Sequence, residues 1–140
     1  MLIITADDYG KTRHTTDSIL ECFTKKRITS ASAMVFMEDS ERAAALSLNN
    51  NLEVGLHLNF TEPLTTINIP LNLCYHQDRV VSYLNKFKFC QIVYNPFLKD
   101  SFRYVFLSQQ EEFTRLYRRS PGFINGHHPV SYTHLTLTTN

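Results

Sequence analysis

Leu2-Ile3-Ile4-Thr5-Ala6-Asp7-Asp8-Tyr9-Gly10 opens the chain with an apolar run that leads straight into two adjacent carboxylates and a glycine. A short apolar run of this kind reads as a buried strand, and the acids then fall where the backbone turns. In α/β folds the chemistry is kept at the carboxyl ends of the strands, which makes Asp7 and Asp8 candidate site residues. Neighbours on an extended segment point to opposite faces, so the two carboxylates are expected to do different work, one on a metal and one on a proton. The competing reading is a strand end with two solvated acids, or an N-cap for the next helix.

Working outward, the region from Thr15 to Lys26 carries Ile19, Leu20 and Phe23 at helical spacing, with Ser18 and Glu21 in capping-box relation. Ile28 to Phe36 is small and β-branched and suits a second buried strand. Ser40 to Leu48 gives a short helix stopped by Asn49-Asn50-Asn51. Leu52 to Phe60 is a third apolar strand, interrupted by His57 and Asn59. This β-α-β-α-β order argues for parallel strands covered by helices. From Thr61 to Asn95 the pattern loosens, and Pro63, Pro70 and Pro96 with the apolar clusters Ile67–Leu73 and Val80–Leu84 suggest a long excursion over the mouth of the sheet with a short helix in it. Order returns from Leu98 to Arg118, where Phe102, Phe106, Phe113 and Tyr117 form one stripe of a 3.6-residue period and predict an amphipathic helix whose aromatic face is core. Ser120-Pro121-Gly122 ends it, and Phe123 to His128 reads as a fourth strand delivering His127 and His128 to its carboxyl end.

One hundred and forty residues suffice for one domain, and no repeat or internal boundary is visible. Fourteen basic residues against thirteen acidic ones, with no basic run longer than Lys25-Lys26-Arg27, offer no footprint for nucleic acid or an anionic membrane. Neither a leader nor a membrane span is apparent, and a cytoplasmic location is expected. Cys22, Cys74 and Cys90 are odd in number and widely spaced, so reduced, mostly buried thiols are expected.

Three predicted strands thus end in metal-ligand types: Asp7 and Asp8, then His57, then His127 and His128. A carboxylate with two imidazoles, the remaining positions left to water, is the ligand set of a hydrolytic metal site. The metal lowers the pKa of its water and a neighbouring carboxylate takes the proton. A lone histidine in an apolar strand is ordinarily a hydrogen-bonded core residue, so the case rests on the cluster. All four glycines, Gly10, Gly55, Gly122 and Gly126, lie within five residues of these groups, where a backbone can turn sharply or approach a ligand.

At these segments the sequence resembles the YdjC-like (ChbG/HpnK) carbohydrate deacetylases. Ala6-Asp7-Asp8-Tyr9-Gly10 matches the family's A-D-D-[FY]-G, Ile28-Thr29-Ser30-Ala31-Ser32 its I-V-T-S-T/A-S strand, and Gly55 to Glu62 its G-L-H-L-N-x-T-E. Phe123-Ile124-Asn125-Gly126-His127-His128 stands against its [HF]-I-D-[GS]-H-x-H-V-H. The resemblance implies a metal-dependent hydrolase that removes the acetyl group from N-acetylated oligosaccharides of the chitooligosaccharide type, on a distorted (β/α) barrel. By position it makes Asp8, His57 and His127 the ligands of a divalent metal, Mg before Zn, and Asp7 the general base. Asn59 and Thr61 would shape the sugar pocket, and the full-length parent would be a homodimer. His14 is left as a surface residue.

Two departures accompany the match. Asn125 replaces the family's aspartate, a neutral amide that can still accept a hydrogen bond but polarises its partner less. Pro129 and Ser131 stand where the family has histidines. Val130 to Asn140 resembles the in-frame translation of a transposon-based sequencing-library adapter, so residues 1–128 are expected to be a partial YdjC-like domain and 129–140 a tail unrelated to it, His134 included. The expected fold class is α/β, the N-terminal half of a distorted (β/α) barrel with parallel strands and covering helices, truncated because closure takes about 250 residues. On that view the acid for the leaving amine belongs to the other half, and the fragment is inactive or nearly so. The alternatives are a metal- or sugar-binding remnant without turnover, which Asn125 favours, and a two-metal phosphoesterase, for which the additional ligands are missing.

Overall fold

In the computed structural model, which describes residues 2–86, 90 and 95–127, strand and helix alternate. The elements are β1 (Thr5–Tyr9), α1 (Arg13–Thr24), β2 (Ser30–Ala33), α2 (Ser40–Asn50), β3 (Glu53–Leu58), α3 (Leu71–Leu84), α4 (Lys99–Tyr117) and β4 (Ile124–Gly126). The strands form one sheet in the order β1-β2-β3-β4, with every neighbouring pair parallel. Each connection moves one place along the sheet and the order never reverses. That is how a (β/α) barrel is laid down, whereas a doubly wound sheet has a switch point. The α/β half-barrel reading therefore holds. His128 and the closing run 129–140, on which the tail expectation falls, lie outside the described residues.

The core forms where the two inner strands meet the helices. Ala31 and Ala33 of β2 and Val54, Leu56 and Leu58 of β3 are buried, as parallel strands covered by helices must be. From α4, Phe102, Val105, Phe113, Leu116 and Tyr117 are buried and Phe106 packs partly buried against them, so the aromatic stripe is core as its period requires. The Phe113 and Tyr117 rings stack with centroids 4.4 Å apart. Cys22, Cys74 and Cys90 are free and half-buried.

Three local expectations are corrected. The apolar run Leu2–Ile4 is exposed, at 76%, 64% and 44%, and the strand begins only at Thr5. β1 is an edge of the sheet, and no described element covers the side chains that precede it. The first helix starts at Arg13 with Thr12 as its N-cap, whose hydroxyl accepts the Thr15 amide. A threonine six residues earlier does the capping assigned to Ser18. The excursion after β3 contains a 14-residue helix, α3, with Pro70 at its N-cap, where the missing N–H costs nothing. Its inward stripe is Leu73, Gln77, Val80 and Leu84. A buried glutamine within that stripe hides the period from a reading of hydrophobicity alone.

Gly55 brings β4 onto β3. A Cβ there would meet the Phe123 ring at 2.5 Å, while the Leu56 amide donates to the Phe123 carbonyl at 3.0 Å. Gly55→Ala is expected to displace that ring and lower stability by about 1–3 kcal/mol, read as a shifted midpoint in urea denaturation.

Candidate metal centre

The site begins with an irregularity in β1. Thr5 pairs with Ser30 and Ala6 with Ala31, but the next pair is Tyr9 with Ala33, so Asp7 and Asp8 together stand opposite Ser32. An extra residue in a strand is a β-bulge, which breaks the alternation of side chains and re-aims them. Asp8 adopts a left-handed φ of 67° to make the bend. The acids therefore do not diverge as regular alternation predicts. Asp7 Oδ1 lies 3.9 Å from Nδ1 of the His57 ring, and Asp8 Oδ1 lies 3.2 Å from Nε2 of the same ring.

Asp8 Oδ1, His57 Nε2 and His127 Nδ1 converge. The carboxylate oxygen is 3.2 Å from the His57 nitrogen and 3.0 Å from that of His127, and the two nitrogens are 3.3 Å apart. These three groups form a set able to hold a metal ion. Bonds of about 2.0–2.2 Å to one ion require ligand atoms about 3.0–3.4 Å apart, as they are here. Asp8 Oδ1 is buried and makes no hydrogen bond, although two ring nitrogens face it. A buried anionic oxygen without a donor is costly, and a cation at this point satisfies it. The residues present thus fit a divalent metal. His127 reaches the centre because its amide donates to the Leu58 carbonyl at 2.9 Å, which continues the β3–β4 ladder.

Around these three groups lies a ring of partners. His57, 3% exposed, is in register with Asn125, and its Nδ1 lies 2.7 Å from the Asn125 carbonyl oxygen. With Nδ1–H donating there, the lone pair of Nε2 is turned toward Asp8. The Asn125 amide donates to Asp7 Oδ1 at 2.9 Å, and the Ser32 hydroxyl donates to the same oxygen while lying 3.3 Å from His57 Nδ1. Burial pushes the Asp7 carboxyl up, but the bonds from Ser32 and Asn125 and the two nearby imidazoles outweigh it and hold it below the usual carboxylate range. On the other side His127 Nε2 lies 3.2 Å from Glu62 Oε1, and Lys11 Nζ is 2.8 Å from both oxygens of Glu62. Glu62 too is held below its ordinary range, the pull of Lys11 outweighing the opposing effect of burial.

All four residues singled out for the centre, Asp7, Asp8, His57 and His127, thus come together. His14 is exposed on α1, and His128 lies outside the described residues. Asn59 and Thr61 are buried in the loop after β3. Asn59 Oδ1 accepts the amides of Thr61 and Glu62, at 3.2 and 2.9 Å, and its Nδ2 donates to the Glu62 carbonyl at 3.1 Å. Ser32, Lys11 and Glu62 received no role from sequence reasoning. For Ser32 and Glu62 the available signal was a polar residue inside a motif segment; Lys11 carried none. A recess of about 410 Å³, lined by Lys11, Thr12, Met37, Glu38, Glu62, Pro63 and Thr65, opens beside the Glu62 side of the centre.

The fold and this centre define a (β/α)-type protein with a carboxylate–bis-imidazole cluster fit for a divalent cation. The chain belongs to the family described as YdjC-like protein, whose match covers residues 1–138. It is 33% identical over 129 residues to Carbohydrate deacetylase 2 of Listeria innocua, an alignment covering 90% of this chain and 49% of that protein. It is 31% identical over 134 residues to Chitooligosaccharide deacetylase of Proteus mirabilis, covering 93% and 49% respectively. The chain thus spans about half the length of these curated relatives. A crystal structure from Enterococcus faecalis V583, of a protein named for cellobiose-phosphate cleavage, superposes with a TM-score of 0.73 at 22% identity, over 98% of this chain and 52% of that one. That likeness bears on the fold, and it again matches this chain to about half of a larger one.

The left-handed backbone of Asp8 supplies a test of the bulge. Asp8→Ala keeps the strained φ with a Cβ, whereas Asp8→Gly relieves it. The glycine variant is expected to be the more stable of the two by about 1 kcal/mol in metal-free urea denaturation.

Proposed function

We propose that this chain carries the metal-binding half of a carbohydrate deacetylase that removes the acetyl group from N-acetylated sugars of the chitooligosaccharide type. The observation that carries the reading is the buried, donor-less Asp8 Oδ1 facing two imidazole nitrogens, in a family whose curated relatives are named deacetylases. Asp8, His57 and His127 would hold the cation, with Mg the first candidate and Zn the second. When bound, the ion supplies Lewis acidity, which makes water a nucleophile near neutral pH and withdraws electrons from the acetamide carbonyl.

The remaining chemistry belongs to the chain's own side chains. Asp7, 56% exposed beside the centre, takes the proton of the attacking water. Ser32 and Asn125 bind its Oδ1, which leaves the other oxygen to take the proton. Asn59 and Thr61 shape the pocket from behind, by setting the loop that carries Glu62. The recess beside Glu62 is open to solvent and mostly apolar, with Met37 and Pro63 in its wall; Lys11, Glu38 and Glu62 at its edge are the groups that would meet the hydroxyls of a sugar. Because the chain spans about half of its relatives, turnover is assigned to a full-length parent, and the 140-residue chain alone is proposed to be inactive or nearly so.

The second reading, metal or sugar binding without turnover, draws on Asn125. Its weight is reduced here because the amide makes both bonds the position needs, accepting from His57 and donating to Asp7.

Asp7→Asn separates the readings. In the full-length parent it should lower acetate release from N-acetylglucosamine oligomers by about 10²–10⁴-fold with metal affinity retained, whereas His57→Ala should abolish both. Wild-type parent that binds metal and releases no acetate would favour the binding remnant. Robust turnover by the 140-residue chain would refute its proposed inactivity.

A further inference from the structure

We propose that Glu62 is a positioning residue for the metal centre: braced by Lys11, it fixes the ring of His127 so that Nδ1 is presented to the cation. The inference rests on the metal-site reading and adds to it a residue and a device. Glu62 Oε1 lies 3.2 Å from His127 Nε2, while Nδ1 of that ring lies 3.0 Å from Asp8 Oδ1. A hydrogen bond from Nε2–H to the carboxylate selects the tautomer whose free lone pair is on Nδ1, and a negative partner makes that lone pair more basic. His57, by contrast, leans on a neutral amide, Asn125. Asp7 stands 3.9 Å from the same His57 nitrogen, so the carboxylate within hydrogen-bond distance of an outer ring nitrogen is the one on the second imidazole.

The main chain of Glu62 is held more firmly than a surface salt bridge would require. Its amide donates to Asn59 Oδ1 at 2.9 Å, and its carbonyl accepts from Asn59 Nδ2 at 3.1 Å and Gln77 Nε2 at 2.8 Å. Asn59 is anchored in turn by Gln109, whose Oε1 accepts the Asn59 amide and whose Nε2 donates to the Asn59 carbonyl, both at 2.8 Å. Asn59, Gln77 and Gln109 are 0%, 1% and 0% exposed. Buried amides from the loop itself, α3 and α4 are therefore committed to one loop position. Lys11, from the turn after β1, holds the carboxylate itself. A group fixed at its amide, its carbonyl and its side chain can aim a ring with little freedom left to lose.

The experiment is Zn²⁺ titration by calorimetry on the 140-residue chain as wild type, Glu62→Gln, Glu62→Leu, Lys11→Met and His127→Ala. It is combined with ¹⁵N NMR of the histidine ring nitrogens and thermal unfolding in EDTA. Glu62→Gln keeps an acceptor without charge and is expected to weaken Zn²⁺ about tenfold to a hundredfold. Glu62→Leu should weaken it further and release the His127 tautomer, Lys11→Met should weaken it less than either, and metal-free unfolding should stay close to wild type in all three. Affinities of the Glu62 variants within twofold of wild type, with binding lost in His127→Ala, would overturn the role of Glu62 alone. A loss of affinity that merely accompanies loss of the folded metal-free chain would overturn it as well. Wild type that takes up neither Zn²⁺ nor Mg²⁺ titrated in its place, or His127→Ala that binds Zn²⁺ as wild type does, would overturn the metal-site reading beneath it.

Discussion

A carboxylate oxygen buried between two imidazole nitrogens, without a hydrogen-bond partner, is the constraint around which this molecule is arranged. An anion in that position must be balanced, because burying an unpaired charge costs several kcal/mol even after relaxation. Where Asn125 and Glu62 take up the outer ring N–H groups, the inner nitrogens turn lone pairs toward this oxygen, and a cation is the natural remedy. The bulge in β1 and the left-handed backbone of Asp8 follow from the same demand, since a regular strand would carry one of the two acids away from His57.

The order of the sheet supplies the rest of the geometry. β1 and β3 are not neighbours; β2 runs between them, and Ser32 bridges the gap by hydrogen bonding to Asp7 beside His57. β4 completes the set, because its register with β3 sets Asn125 opposite His57 and the next step of the ladder brings in His127. The helices contribute more than cover. Through Gln77 and Gln109 they fix the loop after β3 from behind, and that loop turns Glu62 toward the second imidazole.

Asn125 illustrates how a departure from a family pattern can be absorbed. A carboxylate at this position could only accept hydrogen bonds, and it would face Asp7 Oδ1, which lies 2.9 Å from the amide nitrogen now present. The amide accepts from one side and donates to the other, so it links the proposed base to a proposed ligand without setting two negative oxygens against each other. The carboxylate within hydrogen-bond distance of an outer ring nitrogen lies instead at Glu62, beside His127.

Much of the architecture was legible from the amino acids in order. Alternating apolar strands and amphipathic helices dictate a parallel sheet, because strands joined by helical crossovers run the same way. The clustering of acids and histidines near strand ends marked Asp7, Asp8, His57 and His127, and the aromatic stripe of α4 marked core. Elements broken by a buried polar residue were hidden, as α3 was by Gln77, since hydrophobic period is a property of burial and not of chemistry. Only the tertiary structure decided that Leu2–Ile4 lies exposed, that a bulge turns both acids to one ring, and that Ser32, Glu62 and Lys11 belong to the centre. Those facts depend on strand register and on contacts between segments far apart in the chain, and a one-residue slip in register leaves the sequence unchanged while sending every side chain of a strand to the opposite face.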